Sequence, residues 1–174
     1  FATWVAGIPV NMTSHAHGAG SPSAGPGVVL YALEHQGADG PWQLKQDLEK
    51  YNGVLRYAQG TVANGFNVTG MAYKARWSAT DQIPLRAVDA GILDRFGNVD
   101  ASDGGNSSRY SLSGEWRHSE GDITRSASLH AVRSRLDLYS NFTYFLDNPA
   151  DGDQFHQWER RTLWGGELAQ TWAS

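Results

Sequence analysis

The sequence predicts an all-β fold, an antiparallel β-meander of about six strands taken from the wall of a transmembrane β-barrel and left as an open, curved sheet. Three observations predict it. Residues 128–146, SLHAVRSRLDLYSNFTYFL, alternate in character over a length roughly three times that of an ordinary soluble strand. One phase holds Val132, Leu136, Leu138, Phe142, Tyr144 and Leu146, and the other holds Arg133, Arg135, Asp137 and Asn141. Side chains alternate between the two faces of a strand, so this strand has an oily face and a face too charged to be a core. Oil toward lipid and charge toward a lumen is the pattern of a membrane barrel wall. Secondly, short connections alternate with long ones along the chain. Thirdly, seven tryptophans and seven tyrosines make a heavy aromatic load. No run of about 18 apolar residues exists to form a transmembrane helix.

Each element follows in order. Residues 1–10 are apolar and broken by Gly7 and Pro9, and Asn11-Met12-Thr13-Ser14-His15-Ala16-His17-Gly18 reads as a polar loop. Residues 21–27, SPSAGPG, read as a linker. The expected division is therefore a first segment over 1–20, the linker over 21–27, and the strands over 28–174. Strands are expected at 28–35, 53–59, 66–77 and 109–118, then a long fifth starting near Ile123 and ending at Leu146, then 160–172. Residues 41–50, PWQLKQDLEK, are expected to form a helical turn. Asn64-Gly65 marks a tight turn over 61–65. A long loop covers 78–108, a short hairpin turn covers 119–122, and a polar loop covers 147–154. In 109–118, Tyr110, Leu112, Gly114 and Trp116 stand in phase, opposite Ser111, Ser113, Glu115 and Arg117. In 160–172, Trp164, Leu168 and Trp172 stand in phase. At a tilt near 40°, the step from Trp164 to Trp172 covers roughly 20 Å of membrane normal, which suits two aromatic girdles. The oily side is expected to carry Tyr110, Leu112, Trp116, Leu136, Leu138, Phe142, Trp164, Leu168 and Trp172.

Composition removes some functions. A net charge of −4 gives no footprint for nucleic acid. The lack of cysteine removes a disulfide framework and any thiolate metal site. Neither Gly-x-Ser-x-Gly nor His-Glu-x-x-His occurs, and no enzyme is expected. Phe1-Ala2-Thr3-Trp4 does not start a signal peptide, so the chain is expected to be mature, truncated or a fragment.

Three segments carry a resemblance: 64–84 (NGFNVTGMAYKARWSATDQIP), 109–117 (RYSLSGEWR) and, most specific, 133–155 (RSRLDLYSNFTYFLDNPADGDQF). On these the chain resembles the TonB-dependent outer-membrane receptors of Gram-negative bacteria. Residues 7–18, GIPVNMTSHAHG, resemble the plug segment where an Asp-Gly-Val-Pro-type strand leads into a loop, with Ala6 where the family has Asp. Together these cover most of the chain except the linker. The resemblance implies location in the bacterial outer membrane and contact with outer-membrane lipid. It implies energised uptake of a scarce ligand, such as a metal chelate, vitamin or glycan, held by extracellular loops and the plug. The TonB system then pulls on the plug, and the receptor does no bond chemistry. It further implies a full plug inside a barrel of about 22 strands. The chain is accordingly expected to be a receptor fragment, plug end plus early barrel, and not a transporter by itself.

Site residues follow from both readings. Glu115, Arg117, Arg133, Arg135, Asp137 and Glu167 are expected to face the lumen, where charged groups ordinarily serve solvation or ion pairing. Asn11, Ser14, His15 and His17 are expected to touch ligand, because the resemblance puts this loop at the plug apex. A His-x-His pair on a strand would also put both imidazoles on one face. The plainer reading is a polar loop whose histidines bond to backbone. No third metal ligand is identifiable, so no metal and no cofactor is assigned. Two other classes compete. A soluble carbohydrate-binding β-sandwich would use Trp42, Trp77 and Trp158 and would need no detergent. A hydrolase would need a nucleophile beside a base.

Overall fold

The computed structural model describes residues 5–6, 13–79, 83–141, 147–150 and 152–173. The strands are β1 (Val5–Ala6), β2 (Thr13–Gly20), β3 (Ser23–Ala24), β4 (Gly27–Ala38), β5 (Leu48–Gly60), β6 (Gly65–Ser78), β7 (Gly104–Glu120), β8 (Ile123–Ser140) and β9 (Phe155–Trp172). A single short helix, α1 (Leu85–Asp89), is found among the described residues. The fold is all-β, one antiparallel open sheet that does not close into a barrel. Its order is β1-β2-β4-β5-β6-β7-β8-β9, with β3 paired to the start of β4. Apart from β3, which sits within the connection from β2 to β4, each ladder along that path joins chain neighbours, which is the expected meander.

The connections alternate as expected. At one end the sheet turns through 21–26, 61–64 and 121–122; at the other it turns through 39–47, 79–103 and 141–154. The turn at 61–64 is closed by Thr61 N–H donating to the Asn64 carbonyl at 2.8 Å. Gly60 feeds it at φ 91, where a Cβ would lie 2.2 Å from that carbonyl oxygen. At the long end, Ala79 N–H donates to the Asp103 carbonyl at 2.9 Å.

The ladders run without a bulge. β7 pairs β8 from Gly104↔Tyr139 to Glu120↔Ile123, and β8 pairs β9 from Ile123↔Trp172 to Ser140↔Phe155. Residues directly opposite each other share a face, so faces can be followed from strand to strand across the sheet.

Several expectations are corrected. Residues 13–20, expected as loop, are strand β2, paired with 31–38 of β4. Of residues 21–27, expected as a linker, 21–26 make the tight connection between these strands, with β3 inside it, and Gly27 opens β4. The helical turn expected over 41–50 is absent. Gly40 and Asp47 sit at φ 67 and 43, and β5 begins at Leu48 under pairing from both sides. The expected long loop shortens to 79–103, since β7 starts at Gly104.

The sheet has no second layer. Among the described residues the buried hydrophobic core consists of Ala75 alone. The chain exposes 12233 Å², against roughly 8,400 Å² for a folded monomer of 19.0 kDa. A soluble domain needs two packed layers around a core, and a sandwich needs two sheets face to face. Within the sheet, glycines make room for large neighbours. A Cβ on Gly20 would lie 2.6 Å from the Tyr31 hydroxyl, and one on Gly166 would lie 2.6 Å from Leu129 Cδ2.

Candidate functional surface: an uncharged band backed by charges

Start from β7, where Tyr110, Leu112, Gly114 and Trp116 share a face. Their partners on β6 are Ala72, Gly70, Val68 and Phe66. Through β5 the same face carries Tyr51, Gly53, Leu55 and Tyr57, and through β4 it carries Val29, Tyr31, Leu33 and His35. In the other direction it carries Ala127, Leu129 and Ala131 on β8, then Leu168, Gly166 and Trp164 on β9. Many of these side chains are well exposed: Trp164 by 84%, Leu168 by 86% and Leu129 by 71%.

Aromatic residues border this band on a slant. Tyr51 lies across β6 from Ser108, and Tyr110 is two residues nearer the short-turn end. Tyr110 lies across β8 from Thr162, and Trp164 is again two residues nearer that end. The upper border therefore falls by one residue per strand. With a rise near 3.3 Å per residue and strands near 4.8 Å apart, that slope corresponds to a strand tilt of ~35°. Membrane barrels tilt their strands by about 35–45°. Tyr57, Trp116 and Trp172 form the lower border with a slant of the same sense. Measured perpendicular to these slanting lines, the two borders are roughly 16–22 Å apart at Cα level, before the rings add their own reach. Between them this face carries no Asp, Glu, Lys or Arg.

The other face carries charge at the same level. Arg56, Asn67, Glu115 and Glu167 alternate with the band residues, and Asn67 Nδ2 donates to Glu115 Oε2 at 3.0 Å. Arg56, Asn67, Glu115, Arg117, Ser128 and Glu167 line a concavity of about 680 Å³ on this face. Farther up, Lys50 Nζ pairs with Glu34 Oε1 at 2.9 Å.

The six residues expected to face a lumen therefore divide. Glu115, Arg117 and Glu167 come together on the charged face. Arg133, Arg135 and Asp137 stand opposite Tyr110, Ser108 and Asn106, so they share the face of the uncharged band, beyond its upper border. Conversely, Leu136 and Leu138 oppose Ser107 and Gly105, so they lie on the charged face, away from Tyr110, Leu112, Trp116, Trp164, Leu168 and Trp172. The expected phase of this one strand is inverted relative to its neighbours. Phe142 lies outside the described residues.

Of the expected ligand contacts, Asn11 lies outside the described residues. His15 and His17 oppose Gln36 and Glu34 on the charged face, while Ser14 opposes Gly37 on the other. The strand so splits the set, and among the described residues no group of three His, Asp or Glu side chains could hold a metal ion.

Sequence reasoning missed a network at the long-loop end. Asn141 is fully buried, its backbone N–H donating to Asp103 Oδ2 and its Nδ2 to Asp100 Oδ2, both at 3.1 Å. Gln154 Nε2 donates to Asp103 Oδ1 at 3.0 Å and to Ser102 Oγ at 2.8 Å. Two hydrogen bonds from Ser102, the shorter at 2.6 Å, hold the Asp100 carboxyl below its ordinary pKa. The Asp100-x-Ser-Asp103 spacing was the available signal, since Asp and Ser bond back onto nearby backbone in loops. No family model, no curated protein and no solved structure matches the chain.

Proposed function

We propose that this sheet is a section of the wall of an outer-membrane β-barrel receptor of the TonB-dependent kind, located in the bacterial outer membrane. The whole receptor takes up a scarce ligand, such as a metal chelate, vitamin or glycan, and the TonB system supplies the energy. The section alone is not a transporter, because its sheet is open. It performs no bond chemistry. One observation carries the reading: an uncharged band bounded by slanting aromatic lines, with charges on the opposite face at the same height. Lipid is the cover such a band calls for, since a soluble sheet would bury it under a second layer. Glu115, Arg117, Glu167 and Arg56 then face the lumen. The receptor class itself rests on the resemblance of 64–84, 109–117 and 133–155.

Charge scanning tests the membrane part. In lipid vesicles, Leu112→Arg in mid-band should destabilise the folded sheet by about 2–4 kcal/mol, while Ser113→Arg on the opposite face should cost little. Equal costs at the two positions, or fluorescence from the band tryptophans that brominated acyl chains fail to quench, would remove the reading. The receptor part is tested by growth on a scarce ligand. In a receptor holding this section, uptake should stop when the energy-coupling system is removed.

A further inference from the structure

We propose that the basic cluster just beyond the upper aromatic border binds the phosphate headgroup of a membrane lipid; this rests on the membrane reading above. Lys74, Ser108, Arg135 and Arg160 lie in a single cross-strand row, each directly opposite the next. Arg133 stands in the adjacent row, between Tyr110 and Thr162. Together Lys74, Arg133, Arg135 and Arg160 line a concavity of about 410 Å³, with Asn106 and Ser108 as further polar groups.

The charges there are not balanced from within. Asp137 is the one acid lining the cleft, and Arg160 Nη2 already claims it at 2.8 and 3.1 Å, with His156 Nε2 at 3.2 Å. Among the described residues, the side chains of Lys74, Arg133 and Arg135 make no hydrogen bond or ion pair. Arg135 directly opposes Arg160, and like charges in that position repel. An anion between them turns that repulsion into attraction. Guanidinium forks match the oxygens of a phosphate group, which favours phosphate over a simple counterion.

Position selects a lipid over free phosphate. The cleft lies on the face of the uncharged band, immediately past its edge, where a headgroup sits when acyl chains cover the band. It also adjoins an apolar groove of about 420 Å³ containing Leu33, Tyr51, Gly53 and Ala72, and the two share Lys74 and Tyr110. Bound there, the phosphate would tie strands β6, β8 and β9 to the leaflet on the long-loop side.

The test uses the full chain refolded into phosphatidylcholine vesicles, with and without a minor fraction of phosphatidic acid. Stability to denaturant is read in each. The phosphomonoester lipid should stabilise the wild type, and Arg133→Gln/Arg135→Gln should lower its apparent affinity roughly tenfold or more. Arg109→Gln/Arg117→Gln, the same charge loss on the opposite face, should leave that affinity unchanged. Millimolar inorganic phosphate should not reproduce the stabilisation. Equal response in both double variants, or full replacement by inorganic phosphate, overturns the headgroup site. Quenching of the tryptophans by brominated acyl chains is followed in the same samples. Its loss would instead strike the membrane reading, so the two failures are separable.

Discussion

Asn141 is the side chain on which the long-loop end closes. It is fully buried and reaches Asp100 and Asp103, so it ties the end of β8 to the excursion between β6 and β7. Asn141→Ala leaves Asp100 without one donor, and a cost of about 1–3 kcal/mol is expected from a buried partner left unmade. The loss should be local. Faster amide exchange and faster proteolysis within 79–103, with the strand amides unchanged, would show it; global loosening would contradict it. Asp100 also gives a pH dependence. Its folded pKa is lowered, chiefly by the Ser102 hydroxyl and then by Ser102 N–H and Asn141, against the opposing effect of burial. A lowered carboxyl stabilises fully above its ordinary value, and that contribution fades as pH falls through the depressed one. Loop protection should therefore hold from neutral pH down to the ordinary carboxylate range and decline only below it. Ser102→Ala should move the decline to higher pH. An unchanged midpoint would remove Ser102 as the cause.

At the scale of elements, packing across the ladders decides what substitutions do. Gly166 faces Leu129 on the uncharged side, and an added Cβ would meet Leu129 Cδ2 at 2.6 Å and the Ser128 carbonyl at 2.9 Å. Gly166→Val should cost about 1–3 kcal/mol of overpacking. Gly166→Val combined with Leu129→Ala should recover part of it, read by urea unfolding in detergent; no recovery would mean the strain lies in the backbone. The strands and tight turns were legible because alternation persists across whole strands and because Asn64-Gly65 and Glu120-Gly121 are turn chemistry. The phase of β8 was not legible. Its uncharged residues change phase partway along: Ala127, Leu129 and Ala131 sit on the band face, then Leu136 and Leu138 on the other. A period of two tells that neighbours differ, but not which face meets lipid at each height. The stretch between Arg125 and Arg133, uncharged in one phase, is the mark of the band. Strand β2 was hidden for another reason. Its TSHAHGAG is small and polar, without β-branched or aromatic residues beyond Thr13. Gly20 is small because it lies opposite Tyr31, whose hydroxyl an added Cβ would meet at 2.6 Å, a reason visible only once β4 is paired.

The molecule as a whole is a single layer with one oily side, and its solution behaviour should follow. Edge strand β9 has 18 residues paired on one side only among the described strands. Such an edge templates further pairing, and Leu33, Leu55, Leu112, Leu129, Trp164 and Leu168 stand exposed on one face, where a soluble monomer would cover them. Expression without detergent should give aggregates, with β content recovered on adding detergent. A monomeric sedimentation mass in plain buffer, with a sharp unfolding transition independent of concentration, would speak against lipid as the cover. The eight-strand path β1 to β9 has a further result. β2 runs toward the short turns, so its antiparallel neighbour β1 runs away from them, while β9 runs toward them again. Val5 lies across from His17 in mid-sheet, whereas β9 leaves its ladder at Trp172 on the short-turn rim. In the barrel proposed above, whose short turns would lie in the periplasm, β9 would end on the periplasmic side. An epitope placed after Trp172 should then be shielded in intact cells and revealed on permeabilisation, while one inserted into 79–103 is stained from outside throughout.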